Sequence, residues 1–178
     1  GSTAPLPWVD EVIKYAVSQV PPQKVLVGVP LWGYDWNVTT GGQARTLNYP
    51  EAAALARRYD ARISLDPATQ SATFRYVAKL GDPPPPTMPR PTLSHDVRRR
   101  QPPPCPLPTP TPRPTPPPRP TPTPAPEQWH VVWLEDVTSF EVRLALAQRY
   151  ATGGIAVWRL GHEDPRIWQR LSVWRGEP

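Results

Sequence analysis

The sequence is poor in the residues that build covalent and metal frameworks. Its 178 residues include one cysteine, Cys105, which excludes disulfide networks and Cys-based metal sites. The three histidines, His95, His130 and His162, lie far apart without paired-ligand spacing, so no metal and no cofactor are expected. No apolar run approaches the roughly 20 residues of a membrane span, and no charged-then-apolar leader opens the chain. We therefore expect no membrane span and no signal peptide within this chain.

Proline, in contrast, is abundant and unevenly placed. Of the 30 prolines, 21 lie in residues 82–126, with Thr-Pro repeats typical of extended polyproline II. This tract also holds six arginines and two aspartates, so it carries +4 of the net charge of +5. No folded basic face for nucleic acid is expected from the remainder. The run Arg98–Arg100 is either part of a solvated linker or a contact for an anionic wall polymer.

Outside the tract, the spacing of apolar residues indicates alternating helices and strands. Helices are predicted where apolar residues recur every three or four positions, and strands where short, β-branched runs are apolar at successive positions. The predicted helices cover 8–20, 140–150 and 165–174, and the predicted strands cover 24–32 and 155–158. Strands of this kind are buried on both faces of a parallel sheet, although two of them alone cannot make a stable one.

A smaller α+β unit interrupts this alternation of helices and strands. Residues 33–42, rich in Gly, Thr, Asn and Asp, are predicted as a loop, and a helix follows over 50–59. Polar and apolar residues alternate over 62–66 and 71–78 around turn-forming residues, which predicts a hairpin. The strand pattern resumes at 128–134, so a third strand joins the hairpin after the tract. Trp129 and Trp133 alternate with Val132 and are assigned to packing in this unit.

Three motifs, in order, resemble parts of glycoside hydrolase family 18. Pro21–Trp36 is similar to the family's seventh barrel strand and the residues after it. Val131–Ser139 is similar to the exit from its insertion subdomain, and Tyr150–Gly161 to its eighth strand. The resemblance is closest to the chitinase-like, spore-cortex-lytic branch, which cleaves N-acetylglucosamine polymers. It covers about 1–80 and 128–174.

The resemblance implies an α/β fold, namely the C-terminal portion of a TIM (β/α)8 barrel with a small α+β insertion subdomain that a Pro-rich disordered tract interrupts. The expected domains are a barrel helix and seventh-strand segment at 1–36, the insertion at 37–135 with the tract at 82–126, and the last barrel helix–strand–helix at 136–178. The missing upstream half of the barrel is an expected partner. The isolated chain is accordingly expected to be molten or oligomeric.

The catalytic signature of the family is absent from this chain. That signature, Asp-x-x-Asp-x-Asp-x-Glu, supplies the Glu that protonates the glycosidic oxygen while the acetamido group of the substrate attacks. Without a proton donor the chain alone is expected to be inactive. The acids Glu135–Asp136 and Glu163–Asp164 precede helices and are interpreted as caps. No catalytic residue is assigned.

Sugar binding is the chemistry that the resemblance leaves to this chain. Pyranose rings present apolar C–H faces, which pack on aromatic side chains. Trp158, at the end of the eighth strand, matches the family's sugar-subsite floor, with barrel core as the alternative interpretation. Tyr34 and Trp36 are expected to form a cleft wall, and Asp35 and Arg159 to hydrogen-bond sugar hydroxyls.

The leading hypothesis is the C-terminal part of a family 18-like glycosidase acting on chitin or peptidoglycan. The complete protein would be extracellular or associated with the cell wall. Two alternatives remain open: a non-catalytic glycan-binding remnant, and a half-barrel partner of a split enzyme.

Overall fold

The computed structural model describes residues 1–79, 81–83 and 127–174. Within these ranges the chain is a mixed α/β structure with two separate sheets. The elements in chain order are α1 (Leu6–Gln19), a 3-10 turn (Pro22–Lys24), β1 (Leu26–Pro30), β2 (Gly33–Asn37), β3 (Arg45–Leu47), α2 (Tyr49–Arg58), β4 (Ser64–Leu65), β5 (Ala72–Lys79), β6 (Glu127–Leu134), α3 (Val137–Arg149), β7 (Gly154–Trp158) and α4 (Ile167–Trp174). None of the helices described combines the length and apolar character that crossing a membrane requires. The tract predicted as disordered lies, from residue 84 to 126, outside the described residues.

The first sheet pairs β1 and β7 in parallel. Val27 lies opposite Ile155, and Val29 lies opposite Val157. These side chains share one face of the sheet and pack in two apolar clusters with residues of α1, α3 and α4. The helices and strands predicted for this part of the chain are confirmed, with ends that differ by a few residues.

The other face of the first sheet is open to solvent in the described part of the chain. Leu26 is 59% exposed and Trp158 is 68% exposed, and Gly28 and Ala156 lie between them. The prediction that both strands are buried on both faces is therefore wrong for this structure. Burial alternates along β1 with the two-residue period of a strand, because helices cover one side only.

The second sheet has five strands in the order β3-β2-β6-β5-β4, all antiparallel. Helix α2 covers one face, and the resulting core includes Leu47, Leu55, Phe74 and Val132. The predicted hairpin is confirmed as β4–β5. The predicted third strand is confirmed as β6, which pairs with β5 from Ala72 to Lys79 although the Pro-rich tract separates them in sequence.

Strand β2 corrects the prediction of a loop at Gly33–Gly42. It lies between β3 and β6, with Tyr34 opposite Trp133 and Asn37 opposite His130. The local sequence is rich in turn-forming residues, and the pairing partner arrives only after the tract, so local patterning could not indicate this strand. Because β2 belongs to the second sheet, it spans the predicted domain boundary at residue 36.

Helices α2 and α3 each begin with a reciprocal capping box. Asn48 accepts a hydrogen bond from the Glu51 amide at 2.8 Å, and the Glu51 carboxylate accepts one from the Asn48 amide at 3.0 Å. Asp136 and Ser139 make the equivalent pair at 2.9 and 3.0 Å. These bonds satisfy amides that the helix itself leaves unpaired. The predicted capping role of Asp136 is confirmed.

We expect the open face of the first sheet to drive self-association of the chain. Leu26 and Trp158 are exposed on it, and β1 and β7 each have an unpaired edge within the described residues. Apolar faces with free edges favour pairing with a second copy. Sedimentation velocity over a range of concentrations should show oligomers, and Leu26→Glu should shift them towards monomer. Val173→Glu, at an equally exposed position on α4, is the matched control. A monomer at every concentration would contradict the prediction.

Candidate functional site

The face of the second sheet that lies away from α2 is rich in aromatic side chains. We call Tyr34, Trp36, Trp129 and Trp133 the aromatic face. Tyr34 pairs with Trp133 across β2 and β6, and residues directly opposite in antiparallel strands share a face. Trp36 and Trp129 follow on the same side because side chains two positions apart along a strand point the same way.

The rings of the aromatic face are unequally accessible. Trp129 is 53% exposed, whereas the other three are half-buried. The rings of Tyr34 and Trp36 lie 6.2 Å apart with their planes tilted by 50°. Trp36 Nε1 has no hydrogen-bond partner within the described residues, and the exposed Arg75 occupies the neighbouring strand β5 on this face. Trp36 Nε1 is itself buried, so the accessible N–H donors on this face are those of Arg75. Flat apolar rings beside such donors suit a ligand with both C–H faces and hydroxyl groups.

A second aromatic group marks the carboxyl ends of β1 and β7. Trp158 ends β7 on the open face of the first sheet, where its side chain is largely exposed. The next residue, Arg159, is also exposed, and its guanidinium donates to His162 Nε2 at 3.2 Å from Nε and 3.0 Å from Nη2. Trp32, just after β1, lies beside Trp133 at a small cavity of about 10 Å³. Trp32 thus lies where the first sheet meets the aromatic face.

Asp35 lies on the opposite side of the second sheet from Tyr34 and Trp36. Its side chain faces α2 and is buried, at 6% exposure for the residue. Asp35 Oδ2 accepts from the Tyr76 hydroxyl at 2.7 Å, and Oδ1 lies 2.8 Å from His130 Nδ1. Burial, followed by the hydrogen bond to Asp35, raises the pKa of Tyr76 well above its ordinary value, so the phenol stays protonated. Both oxygens of Asp35 are thus engaged within the fold.

Glu135 is a buried acid beneath this region. Its Oε2 lies 3.4 Å from Arg143 Nη2, and Arg143 also donates to the carbonyl oxygen of Ala4 at 2.7 Å. Burial raises the pKa of Glu135 to about 8, although Arg143 acts in the opposite direction. The interpretation of Glu135 as a helix cap is wrong, since Asp136 alone of the two makes that contact. The adjoining cavity of about 10 Å³ has room for a water molecule but not for a sugar.

In the other acidic pair, Glu163–Asp164, the predicted capping role holds for Asp164 and is wrong for Glu163. Asp164 accepts from the backbone amide of Arg166 before α4 and from that of Val137 at the start of α3, both at 3.1 Å. Glu163 accepts from the amides of Gly161 and His162. Burial alone would raise the pKa of Asp164. The guanidinium of Arg166 and the backbone amides of Arg166 and Val137 outweigh that effect and hold the pKa of Asp164 below its ordinary value. In the described ranges no three His, Cys, Asp or Glu side chains cluster as metal ligands.

Comparison with known proteins gives consistent relatives. No protein-family profile matches the chain. The cortical fragment-lytic enzyme of Bacillus anthracis is 26% identical over 171 residues, which is 94% of this chain and 29% of that protein. The crystal structure of the spore cortex-lytic enzyme SleL of Bacillus cereus matches with a TM-score of 0.66 and 26% identity, over 98% of this chain and 30% of the other. A chitinase from Chromobacterium violaceum matches with a TM-score of 0.65 and 25% identity, over 100% and 41%.

The chain is a homologue of spore cortex-lytic enzymes and chitinases. The resemblance to the chitinase-like, spore-cortex-lytic branch of glycoside hydrolase family 18 that the sequence motifs indicated is confirmed. The chain spans about three tenths of the length of the cortical fragment-lytic enzyme that it matches.

In this homologue the structure separates the five predicted sugar-binding residues into three groups. Tyr34 and Trp36 lie together on the aromatic face, and Trp158 and Arg159 lie at the end of β7. Asp35 lies apart from both groups, on the helix side of the second sheet. Neighbours in sequence point to opposite faces once their segment is a strand, which the predicted loop did not take into account.

Sequence reasoning missed Trp129 and Trp133 as members of the aromatic face, and Arg75 as an exposed residue on the same side of the sheet. A signal for the two tryptophans was present, because Trp129, Val131 and Trp133 alternate with residues that point towards α2. Alternation shows that residues share a face. It does not tell which face a helix covers, and the assignment of these tryptophans to packing followed from that gap.

Proposed function

We propose that this chain is part of a glycosidase-type domain that binds glycans containing N-acetylglucosamine, in chitin or peptidoglycan. The observation that carries the proposal is the aromatic face, together with the exposed Trp158 at the end of β7. Tyr34, Trp36, Trp129 and Trp158 stack on sugar rings in this proposal, and Arg159 hydrogen-bonds hydroxyl groups. Asp35 does not contact the glycan in this proposal. Its hydrogen-bonding contacts with Tyr76 and His130 hold β2 in place against β5 and β6.

The barrel arrangement belongs to the same proposal. A (β/α)8 barrel closes eight parallel strands with helices outside, and its binding site lies at the carboxyl ends of the strands. Strands β1 and β7 are parallel neighbours with helices on one face, and Trp158 lies at a carboxyl end. Their open face is the inner face of the barrel, and the remaining strands are the partner that covers it. The domains are then those expected from the sequence, 1–36 and 136–178 in the barrel and 37–135 in the insertion, except that β2 joins the sheet of the insertion.

Catalysis requires a group that this chain does not supply. Asp35, Asp136 and Asp164 are engaged as hydrogen-bond acceptors within the fold, and Glu135 is enclosed beside a cavity too small for a sugar. We therefore assign to this chain the binding of the glycan and not the proton transfer that cleaves it. In this proposal the complete protein acts outside the cell or at the cell wall, because the polymer that it acts on lies there.

The test measures binding and cleavage together. We expect chitotetraose to bind the chain without release of shorter products, and Trp158→Ala and Trp129→Ala each to weaken binding by about 10-fold, since each removes an aromatic contact worth about 1 kcal/mol or more. Trp8→Ala is the matched control, because Trp8 is similarly exposed but lies on α1. Tryptophan fluorescence titration and chromatography of the products give the two readouts.

The outcomes separate the proposal from its alternatives. Cleavage that survives in Trp158→Ala would show a catalytic group that we have not assigned. Equal binding by Trp8→Ala, Trp129→Ala and Trp158→Ala would remove the aromatic face as the site. Binding that appears only when a second half-barrel chain is added would favour the split enzyme, for which the unpaired edges of β1 and β7 are the relevant observation.

A further inference from the structure

A larger cavity opens on the helix side of the second sheet, away from the aromatic face. Its volume is about 460 Å³, within the range of small-molecule sites. Strands β2, β5 and β6 form its floor, and Leu55 and Tyr59 of the α2 region and residues 81–83 form its rim. Nothing in the proposed sugar-binding role uses this cavity.

The floor of the cavity is a rigid polar cluster. Asp35 is hydrogen-bonded to the Tyr76 hydroxyl and to His130 Nδ1, at 2.7 and 2.8 Å. Tyr76 is stacked between two rings, with its centroid 4.5 Å from that of Tyr59 and 4.7 Å from that of His130. Each side chain is held by at least two others, so the floor is organised before any ligand arrives.

Most side-chain acceptor oxygens around this cavity are already engaged. Both oxygens of Asp35 take part in the cluster. Asn37 Oδ1 accepts from the amides of Thr39 and Thr40, and Gln128 Oε1 accepts from Asn37 Nδ2. Asp82 Oδ2 accepts from the Lys79 amide and the Tyr59 hydroxyl. The side-chain oxygens that remain for a ligand, Gln43 Oε1 and Asp82 Oδ1, belong to exposed residues.

The donor groups, in contrast, remain available. Arg45 Nη1 is buried without a hydrogen-bond partner in the described part of the chain. Lys79 and Gln128 also line the cavity, and neither the Lys79 ammonium nor Gln128 Nε2 has a hydrogen-bond partner among the described residues. Arg45 lies opposite Asp35 in the pairing of β2 and β3, and Asp82 lines the same cavity, so the charges of the lining balance. A buried donor that stays unpaired costs free energy, so it is the unpaired Arg45 guanidinium that indicates a ligand with an acceptor group. The fork of a guanidinium matches a carboxylate with two parallel bonds.

We propose that this cavity binds a small carboxylate-bearing molecule, with Arg45 as its principal partner and Gln128 and Lys79 as further donors. The cluster around Asp35 positions the floor against which the molecule packs. Asp35 is a negative group that faces the site, and both of its carboxylate oxygens contact Tyr76 and His130 on the floor. Asp82 is a second negative group, located at the rim and occupied by Tyr59. The proposal stands independently of the sugar-binding role of the aromatic face.

The experiment compares two sugars that differ by a carboxylate. N-acetylmuramic acid and its neutral counterpart N-acetylglucosamine are each titrated into the full chain, with calorimetry as the readout. We expect the acid to bind at least about 10-fold more tightly, and Arg45→Gln to remove that difference. Arg57→Gln is the matched control, since Arg57 is exposed on α2 and does not line the cavity. Arg45→Lys keeps the charge without the fork and should retain part of the preference.

Each other outcome overturns the proposal. Equal binding of the two sugars, no binding of the acid, or a preference that Arg45→Gln leaves intact would remove the carboxylate site. Inorganic phosphate that binds as tightly as the acid, with the same dependence on Arg45, would reassign the cavity to phosphate. Near-ultraviolet circular dichroism of Arg45→Gln, matched to the parent chain, shows that the fold is kept. Trp129→Ala should leave the preference unchanged, which separates this result from a failure of the aromatic face.

Discussion

Replacing Arg143 with Met is expected to lower the free energy of unfolding by about 3–5 kcal/mol. Arg143 is 1% exposed and lies 3.4 Å from Glu135. It also donates to the carbonyl oxygen of Ala4 at 2.7 Å, which ties the N-terminal segment to α3. Removal of the guanidinium leaves the Glu135 carboxyl and that carbonyl without their donor in a buried place. Urea unfolding of dilute protein, followed by tryptophan fluorescence, gives the measurement.

Two variants test the cause of the Arg143 effect. Arg149→Met removes an arginine from the same helix, but its side chain is 69% exposed and its contact with Asp10 is at the surface. Arg149→Met should lower the free energy of unfolding by less than about 1 kcal/mol. Replacing both partners, as Glu135→Leu with Arg143→Met, should recover part of the loss because no buried carboxyl is then left without its partner, although the Ala4 carbonyl oxygen still lacks its donor. A loss for Arg143→Met no larger than that for Arg149→Met would contradict the prediction.

Replacement of Gly33 by Ala should also destabilise the chain strongly. A Cβ at this position would collide with the carbonyl oxygen of Trp133 and lie 2.8 Å from Leu134 Cβ, so β2 and β6 would have to separate. Overpacking of this kind costs about 1–3 kcal/mol, or more where a backbone cannot shift. Because Tyr34 pairs with Trp133 beside the collision, we expect weaker chitotetraose binding as well. Urea unfolding and fluorescence titration measure the two effects.

Gly28 provides the control for Gly33. It lies in the interior of β1, and a Cβ there would meet nothing within 4 Å. Gly28→Ala should change stability by less than about 1 kcal/mol, since only the intrinsic difference between the two residues acts. Equal effects at Gly28 and Gly33 would show that the close approach of β2 to β6 does not decide the outcome.

The second sheet keeps two chemistries on its two faces. Trp36 points to the aromatic face, whereas Asp35, its neighbour, points into the cluster with Tyr76 and His130. The sheet thus offers ring surfaces on one side and a donor-lined cavity on the other.

Local sequence patterns predicted the elements whose signals are local. The helices α1, α2, α3 and α4 were expected from apolar spacing, and Asp136 was expected as a cap. The β4–β5 hairpin and the return of the chain as β6 were also expected. These features depend on residues a few positions apart, on alternation, or on turn chemistry. Tertiary contacts can override such signals, but here they agree.

The prediction was wrong where tertiary packing, and not local spacing, decides the contact. Residues Gly33–Asn37 form a strand because β6 and β3 bond to them, and their own composition favours a turn. Glu135 was interpreted as a cap because it precedes a helix, but its carboxylate lies 3.4 Å from the buried Arg143, in the second turn of α3. Neither contact is visible in a local pattern.

The residue sequence was sufficient to predict the four helices, the strands β1, β4, β5, β6 and β7, the Asp136 cap, and the family that the chain resembles. These follow from short-range spacing and from motifs that can be read in order along the chain. The tertiary structure decided which face of each strand is covered, that Asp35 lies apart from Tyr34 and Trp36, and that Trp129 and Trp133 join the latter pair. The physical reason is that alternation assigns side chains to the two faces of a strand without telling which face is covered. Only the packing of α2 against one face of the second sheet determines which face stays uncovered.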